Sequence, residues 1–562
     1  MPSRLANRTR PGRKHRPAGR HRSALLAALA ALLMIAAACG TGGGSVGGDA
    51  ATPAGGSTAA GGSAGNTLVI GMTATNIPLL DTTLSQNEGY EGIRFVGNQL
   101  YDALTRFDLS DPDQIPPIVP ALAESWEPNA DLTEWTFKLR PGVTFHDGEP
   151  WNADAAMFTF DRILNKDAPQ YYPELNAQAG LAIVGVKSAD KVDDMTIKIT
   201  TKAPWSHLPA DLATIFFGSP KAIQELGNDG FGKAPVGTGP FKFVEYVQGQ
   251  RLVLEKNPDY WRGAPKLDSL ILRPIPDPTA RVAALRSGEV NWIEVPLPDD
   301  VATLEAEGFT VHLNAYDHEW PWVLNTSRPP FDDVRVRQAL NYAIDRDSLT
   351  RDILQGTASP LVQAAPPANF AYRAANDTYT YDPEKARQLL TEAGYPDGFS
   401  FRLSFPTSGS GNMVPIPMNE ALQSDLAKVG IKVTLEPIEW AAMLTDFFVG
   451  KITADADAVN ISLSYQQEGF WQSWYGTGSA TNASQYSNPE LDTLLAQAKT
   501  IVDPAARSDV YAQAAKIITD DAPWLFIVSD KNPRATAPTV RGFSMPQSWF
   551  VDLTGVSVEA AT

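Results

Sequence analysis

The sequence predicts an α/β protein built as more than one domain, and three observations carry that expectation. First, 497 residues run from Asn66 to Thr562, a length that favours two or three hydrophobic cores over one. Second, helical and strand periodicities alternate in the later part of the chain. Asp382-Pro383-Glu384 reads as a cap with proline at the first helical position. Ala386, Leu389, Leu390 and Ala393 share one face, and Gly394 ends the helix. Met418 to Val429 is a further amphipathic helix and Ile431 to Leu435 a further strand, the alternation of an α/β unit. Third, from Glu134 onward Trp135, Phe137 and Leu139 alternate with Thr136, Lys138 and Arg140, the period of a strand buried on one face. Pro141-Gly142 turns the chain, because proline fixes φ and glycine accepts positive φ. Val143 to Phe145 returns as a short strand, and Trp151-Asn152-Ala153-Asp154 opens a capped helix. No residue of this module is placed like a nucleophile.

Residues 1–38 read as a signal peptide. They hold eight basic residues and no acid, with the apolar run Ala24 to Ala38 just before Cys39. A basic region, an apolar core of about 15 residues and small residues before the cut are the parts of a secretory signal. The run is shorter than the ~20 residues of a membrane span. Cys39 is the only cysteine, so no internal disulfide can form. Its place directly after the apolar run resembles a bacterial lipobox, where the cysteine is lipidated and becomes the mature N-terminus. Simple secretion with Cys39 unused is the alternative. Residues 39–65 are nearly all Gly, Ser, Ala and Thr after the cysteine, a flexible tether reaching about 25–30 Å. Its G-x-S-x-G and G-x-G-x-x-G matches do not sit between a strand and a helix, so they carry no chemistry.

Without the signal, 38 basic residues face 64 acidic ones, a balance of −26. Such a surface repels nucleic acid and anionic lipid. Thr67 to Met72 reads as a buried first strand, followed by the loop Ala74 to Pro78 and by helical spacing at Ile93, Val96, Leu100 and Leu104. Met195 to Thr200 reads as a strand. Phe241 to Tyr246 and Arg251 to Lys256 read as paired strands joined through Gln248-Gly249-Gln250. The glycine-rich turn before them, Pro235 to Phe241, lacks the Lys-Ser/Thr of a phosphate loop. After Pro329-Pro330, Asp332 can cap a helix whose stripe is Val336, Ala339, Leu340, Ala343 and Ile344.

Four stretches then carry a family resemblance: ALAESWE with FKLRPGVTFHDGEPWNADA; VGTGPFKF with NPDYWRGAPKLD; a helix leading through Ser287-Gly288-Glu289 into a strand; and NTSRPPFDDVRVRQALNYAIDRDSL. They resemble family 5 of the bacterial solute-binding proteins, the peptide- and nickel-type extracellular receptors that feed ABC importers. The resemblance implies a two-lobed periplasmic-binding-protein-like fold, type II and cluster C-like, with an extra subdomain in the first lobe. On this chain the first lobe would comprise 66–109, 235–327 and 523–562, with the subsidiary domain at 110–234 and the second lobe at 328–522. The lobes would be joined near Asn325 to Pro330 and Pro523 to Val528. The implied protein is a monomer without cofactor or bound metal. It would stand outside the cytoplasm on lipidated Cys39, binding a peptide or other small solute and delivering it to membrane permease subunits.

The resemblance also places the ligand. Asn76, in the loop after the first strand, would lie on the cleft, and Trp440 of Glu439-Trp440 would supply an aromatic wall. Peptide-binding members carry Trp-x-x-Asp about 20 residues later, the Asp pairing with the peptide's amino group. Here that segment reads Asn460-Ile461-Ser462-Leu463-Ser464-Tyr465-Gln466-Gln467, and the nearest acid is Glu468. Asn460, Ser462, Ser464, Tyr465 and Gln466 suit hydrogen bonds to a polar ligand. Trp471 and Trp474, with Phe470 and Tyr475, suit a sugar ring or apolar side chain, or alternatively the core of the second lobe. Peptides are the expected cargo; blocked peptides, sugars, opine-like compounds and metal chelates are the alternatives. A secreted hydrolase is the competing class. His146, His207, His312 and His318 form no HExxH or similar cluster, and nothing in the spacing marks a Ser-His-acid triad.

Overall fold

The structure is a computed structural model and describes residues 66–407, 414–452, 456–464 and 468–560. The expected signal segment, Cys39, the tether, Tyr465 and Gln466 lie outside the described residues. No helix among the described residues is long and apolar enough to cross a membrane.

The alternating apolar residues of the chain assemble two principal sheets. The first has seven strands in the order Thr310–His312, Arg534–Thr536, Trp292–Glu294, Thr67–Met72, Ser269–Pro274, Arg251–Lys256 and Phe241–Val247. Thr67–Met72 lies at its centre, parallel to Ser269–Pro274 and to Trp292–Glu294. Leu68, Ile70 and Met72 point into the core with Leu252, Leu254, Leu270 and Leu272. The helical stretch expected after the first loop occupies residues 90–100 and stops at Leu100, because Tyr101 is extended.

A smaller antiparallel sheet branches from this lobe in the order Ala123–Pro128, Glu134–Leu139, Thr196–Thr201, Val186–Asp193. Trp135, Phe137 and Leu139 are all buried in its core. Gly142 has φ +76°, the conformation the Pro-Gly turn requires. Residues 143–145 form only an isolated bridge, Thr144 to Pro150, rather than a ladder strand. Asn152 caps the helix Ala153–Leu164 by accepting from Ala155 N at 3.0 Å.

The second principal sheet has five strands in the order Lys432–Ile438, Ser400–Pro406, Ala458–Asn460, Trp322–Leu324, Trp524–Leu525. The first three are parallel. Helices Val334–Ala343, Pro383–Glu392 and Pro415–Ala427 contribute to the core on this sheet, with Val336, Ala339, Leu340 and Ala343 buried as their spacing predicts. Asp382 caps the second of these helices. The cap of Val334–Ala343 is Asp333, which accepts from Arg335 N at 2.8 Å, and not Asp332. Asp332 instead closes a turn through its own N–H to Arg328 O.

Two segments pass between the principal sheets: residues 313–321 and 531–533. The expected joints at Asn325 to Pro330 and Pro523 to Val528 are displaced, because Trp322–Leu324 and Trp524–Leu525 already pair within the second sheet. Val528–Asp530 pairs with Ala358–Pro360 and continues that lobe. Local periodicity identifies such strands but does not reveal their partners.

Candidate functional site

In open α/β sheets ligands lie beyond the carboxyl ends of the strands. The parallel strands of the first sheet end at Met72, Pro274 and Glu294, and those of the second at Pro406, Ile438 and Asn460. The crossing segments touch both sets of ends. Val295 N donates to Pro533 O at 2.8 Å, and Glu319 and Leu463 exchange backbone bonds at 2.8 and 2.9 Å.

On the first lobe, the loop after Met72 is shaped by a buried carboxylate. Glu91 accepts from Thr73 N at 2.9 Å, Thr73 Oγ1 at 2.8 Å and Ala74 N at 2.9 Å. Burial pushes its carboxyl above the usual range, opposed by the Arg94 guanidinium. Asn76 is half-buried at the end of this loop. Its Oδ1 accepts from Ile77 N and from Gly249 N, each at 2.9 Å. Its carbonyl oxygen therefore anchors the loop to the turn between the last two strands of the sheet.

Beneath the loop lies an ionic cluster that spacing did not reveal. Glu294 meets Arg94 at 2.6 Å and Arg534 at 3.1 Å, all three buried, and accepts from Trp292 Nε1 at 2.7 Å. Burial raises the Glu294 carboxyl, but the two guanidiniums outweigh it and hold it below the usual carboxylate range. Arg94 and Arg534 also both donate to Trp549 O. A second buried cluster ties the two crossing segments together. Asp530 accepts from Tyr316 Oη at 3.1 Å and from Asn532 N at 3.1 Å, and pairs with His318 Nδ1. Tyr316 stacks on His318, and Trp549 meets both rings edge-on.

On the second lobe, Glu439 caps the helix Trp440–Phe447 by accepting from Ala442 N at 2.9 Å. Trp440 is 7% exposed, and its buried indole Nε1 has no hydrogen-bond partner among the described residues. Ser462 is half-buried and Ser464 buried, on either side of Leu463. Asn460, a candidate contact from the sequence, ends the strand Ala458–Asn460. It is fully buried, its Nδ2 donates to Pro321 O at 3.0 Å, and its Oδ1 accepts from Asn419 Nδ2 at 3.1 Å. It joins strand to helix inside the lobe.

Trp471 and Trp474 also belong to the lobe's core. Trp471 packs among Phe370 and Tyr511 at centroid distances of 6.4 and 5.8 Å. Trp474 stacks on Phe470 at 5.5 Å. Aromatic spacing of one helical turn is the same for a core face and a ligand wall. Glu468, the acid nearest in sequence to the expected amino-group position, holds Arg507 in a two-point pair at 2.6 and 2.8 Å.

The histidines have structural partners. His146 lies between Gly237 N and Gly239 O, and burial pushes it down to about 4. His312 meets Thr536 Oγ1 and is likewise lowered by burial to about 4. No group of three or more metal-ligating side chains occurs among the described residues.

Comparison with known proteins agrees with this architecture. The family described as bacterial extracellular solute-binding proteins, family 5 (middle), matches residues 117–489. Heme-binding protein A of Haemophilus influenzae is 32% identical over 491 residues, covering 82% of this chain and 87% of that protein. Glutathione-binding protein GsiB of Escherichia coli is 33% identical over 461 residues, covering 78% and 85%. The periplasmic binding protein DppA of Helicobacter pylori, solved with the peptide STSA, superposes with a TM-score of 0.75 at 28% identity, covering 88% of this chain and 98% of that one.

Proposed function

The chain belongs to family 5 of the bacterial extracellular solute-binding proteins, the non-enzymatic receptors of ABC importers, and we propose that its cargo is a short peptide or peptide-like amide whose amino end is not held by a cleft carboxylate. The Glu468–Arg507 pair carries this reading. A buried ammonium needs a carboxylate partner, and Glu468, the acid nearest in sequence to the expected position, is already engaged by an internal guanidinium. Relatives named for glutathione and for a bound tetrapeptide support an amide-bearing cargo. Trp440 supplies a wall, and its indole N–H is a buried donor that a cargo carbonyl would satisfy. Asn76 follows a strand end of the first sheet, Ser462 and Ser464 one of the second, and Tyr465 and Gln466 follow in sequence. The two lobes would close on the cargo by bending at residues 313–321 and 531–533, shifting an open–closed equilibrium. The closed form would dock on the permease as a monomer, tethered through lipidated Cys39, and release its cargo unaltered.

Mass spectrometry of solute co-purifying with the protein tests the cargo class, with an amide-bearing molecule expected. Calorimetry with free and N-acetylated forms of one peptide tests the amino end. Affinities within about threefold are expected, since no paired charge of 1.5 kcal/mol or more is at stake. Glu468→Gln is expected to leave those affinities equally unmoved while lowering the melting temperature. A free peptide binding a hundredfold tighter than its acetylated form would overturn the reading. Trp440→Ala is expected to weaken binding about tenfold or more, through lost aromatic contact and the lost donor, measured by the same calorimetry.

A further inference from the structure

The lobes also meet at a place far in sequence from either crossing segment. In the first lobe, Trp205 Nε1 and His207 Nδ1 both meet Asp211 Oδ2, at 2.8 and 2.7 Å. The three side chains thereby form one hydrogen-bonded cluster, the two rings edge-to-face at 66°, with His207 and Asp211 buried. Beside it, Ser206 reaches the second lobe. Its backbone N–H donates to Lys499 O at 2.9 Å and its Oγ to Ala498 O at 3.0 Å. Ala498 ends the helix Pro489–Ala498, whose last carbonyls lack partners within the helix. The cluster itself faces Gly469, the first residue of the helix Gly469–Tyr475. A Cβ at Gly469 would stand 3.4 and 3.5 Å from the Asp211 oxygens and 3.5 Å from His207 Cε1. Burial pushes the Lys499 ammonium below its usual range, and the Asp211 carboxylate across the junction opposes that shift.

We propose that this contact is a closing latch: Ser206, His207 and Asp211 engage the second lobe, at Ala498, Lys499 and Gly469, only when the lobes are shut. No peptide bond joins the lobes here, so the contact must break when they part about the crossing segments. The inference rests on the receptor reading but not on the class of cargo. The latch hydrogen bonds exist only in the shut form, so they act on the rate of release and not on the rate of capture. Ser206→Ala removes one of them and is expected to raise the release rate about fivefold.

A cross-linking experiment on the mature chain tests the latch directly. The Ser206 N–H to Lys499 O contact at 2.9 Å sets the two backbones side by side, so Ser206→Cys with Lys499→Cys, in a Cys39→Ser background, reports closure as disulfide yield under mild oxidant. The probe is a casein hydrolysate of short peptides. Disulfide is expected to form, and more of it with hydrolysate. Adding Gly469→Ala leaves the yield unchanged, because its Cβ makes only ordinary contacts. Adding Gly469→Asp suppresses the yield at least fivefold by setting a like charge against Asp211. That acid sits in the first turn of its helix, where negative charge is favourable, so folding is preserved, and an unchanged melting temperature confirms it. Equal yields in the Gly469→Asp and parent proteins, or no disulfide under any condition, would overturn the latch. A yield suppressed by Gly469→Asp but indifferent to the hydrolysate supports the latch and counts against peptide cargo.

Discussion

Glu294→Gln is expected to destabilise the protein by about 3–5 kcal/mol, the cost of breaking a buried ion pair by removing one partner. Two guanidiniums, on Arg94 and Arg534, converge on this carboxylate with essentially no access to water. Glutamine keeps the shape and removes the charge, leaving two buried cations facing each other. The effect depends on pH in a defined direction. The folded-state carboxyl is held below its ordinary value of 4.5, so its contribution is complete above that value and is lost as pH falls below it. Melting curves at descending pH are therefore expected to show the largest gap between wild type and Glu294→Gln near neutrality. The gap narrows once the pH drops through the folded-state value. A gap that widened in acid would contradict the assignment.

Asp530→Ala is expected to have the second large effect, about 3 kcal/mol or more, because buried donors left without an acceptor cost about 1–3 kcal/mol each. Tyr316, His318 and the Asn532 amide all converge on this side chain. Asn532 has φ +36°, a left-handed conformation that costs a non-glycine residue about 1 kcal/mol or more, and its N–H bond to Asp530 helps to hold it. Loss of the carboxylate frees both crossing segments at once. Hydrogen exchange should accelerate at residues 313–321 and 531–533 while the strand Glu134–Leu139 of the subsidiary sheet stays protected. Uniform acceleration throughout the protein would show that Asp530 supports the whole fold and not the crossing.

Local chemistry made much of the fold legible in the sequence. The alternation of Trp135, Phe137 and Leu139 specified a half-buried strand, and Asn152 and Asp382 announced their helices. The family resemblance was legible because its motifs are turns and caps with fixed residue requirements. What remained hidden depends on partners distant in the chain. The strand Trp322–Leu324 reads the same whichever sheet it joins. Asn460 reads as a polar residue at a strand end, and only the folded chain shows that Asn419 and Pro321 satisfy it. Trp471 and Trp474 follow the same logic, since a helix turn of tryptophans suits a core as well as a cleft. Glu294 and Arg534 are 240 residues apart, and no local pattern marks the pair. Glu468 lay near the expected acidic position, but its engagement by Arg507 is a tertiary fact.

The account stands most directly on small-angle scattering from the mature protein, stripped of bound solute and then resupplied with the compound identified by mass spectrometry. A receptor that shuts two lobes over its guest should contract on resupply, and the same compound should be recovered afterward with its mass unchanged. A scattering curve indifferent to the compound, or a compound returned chemically altered, would contradict it.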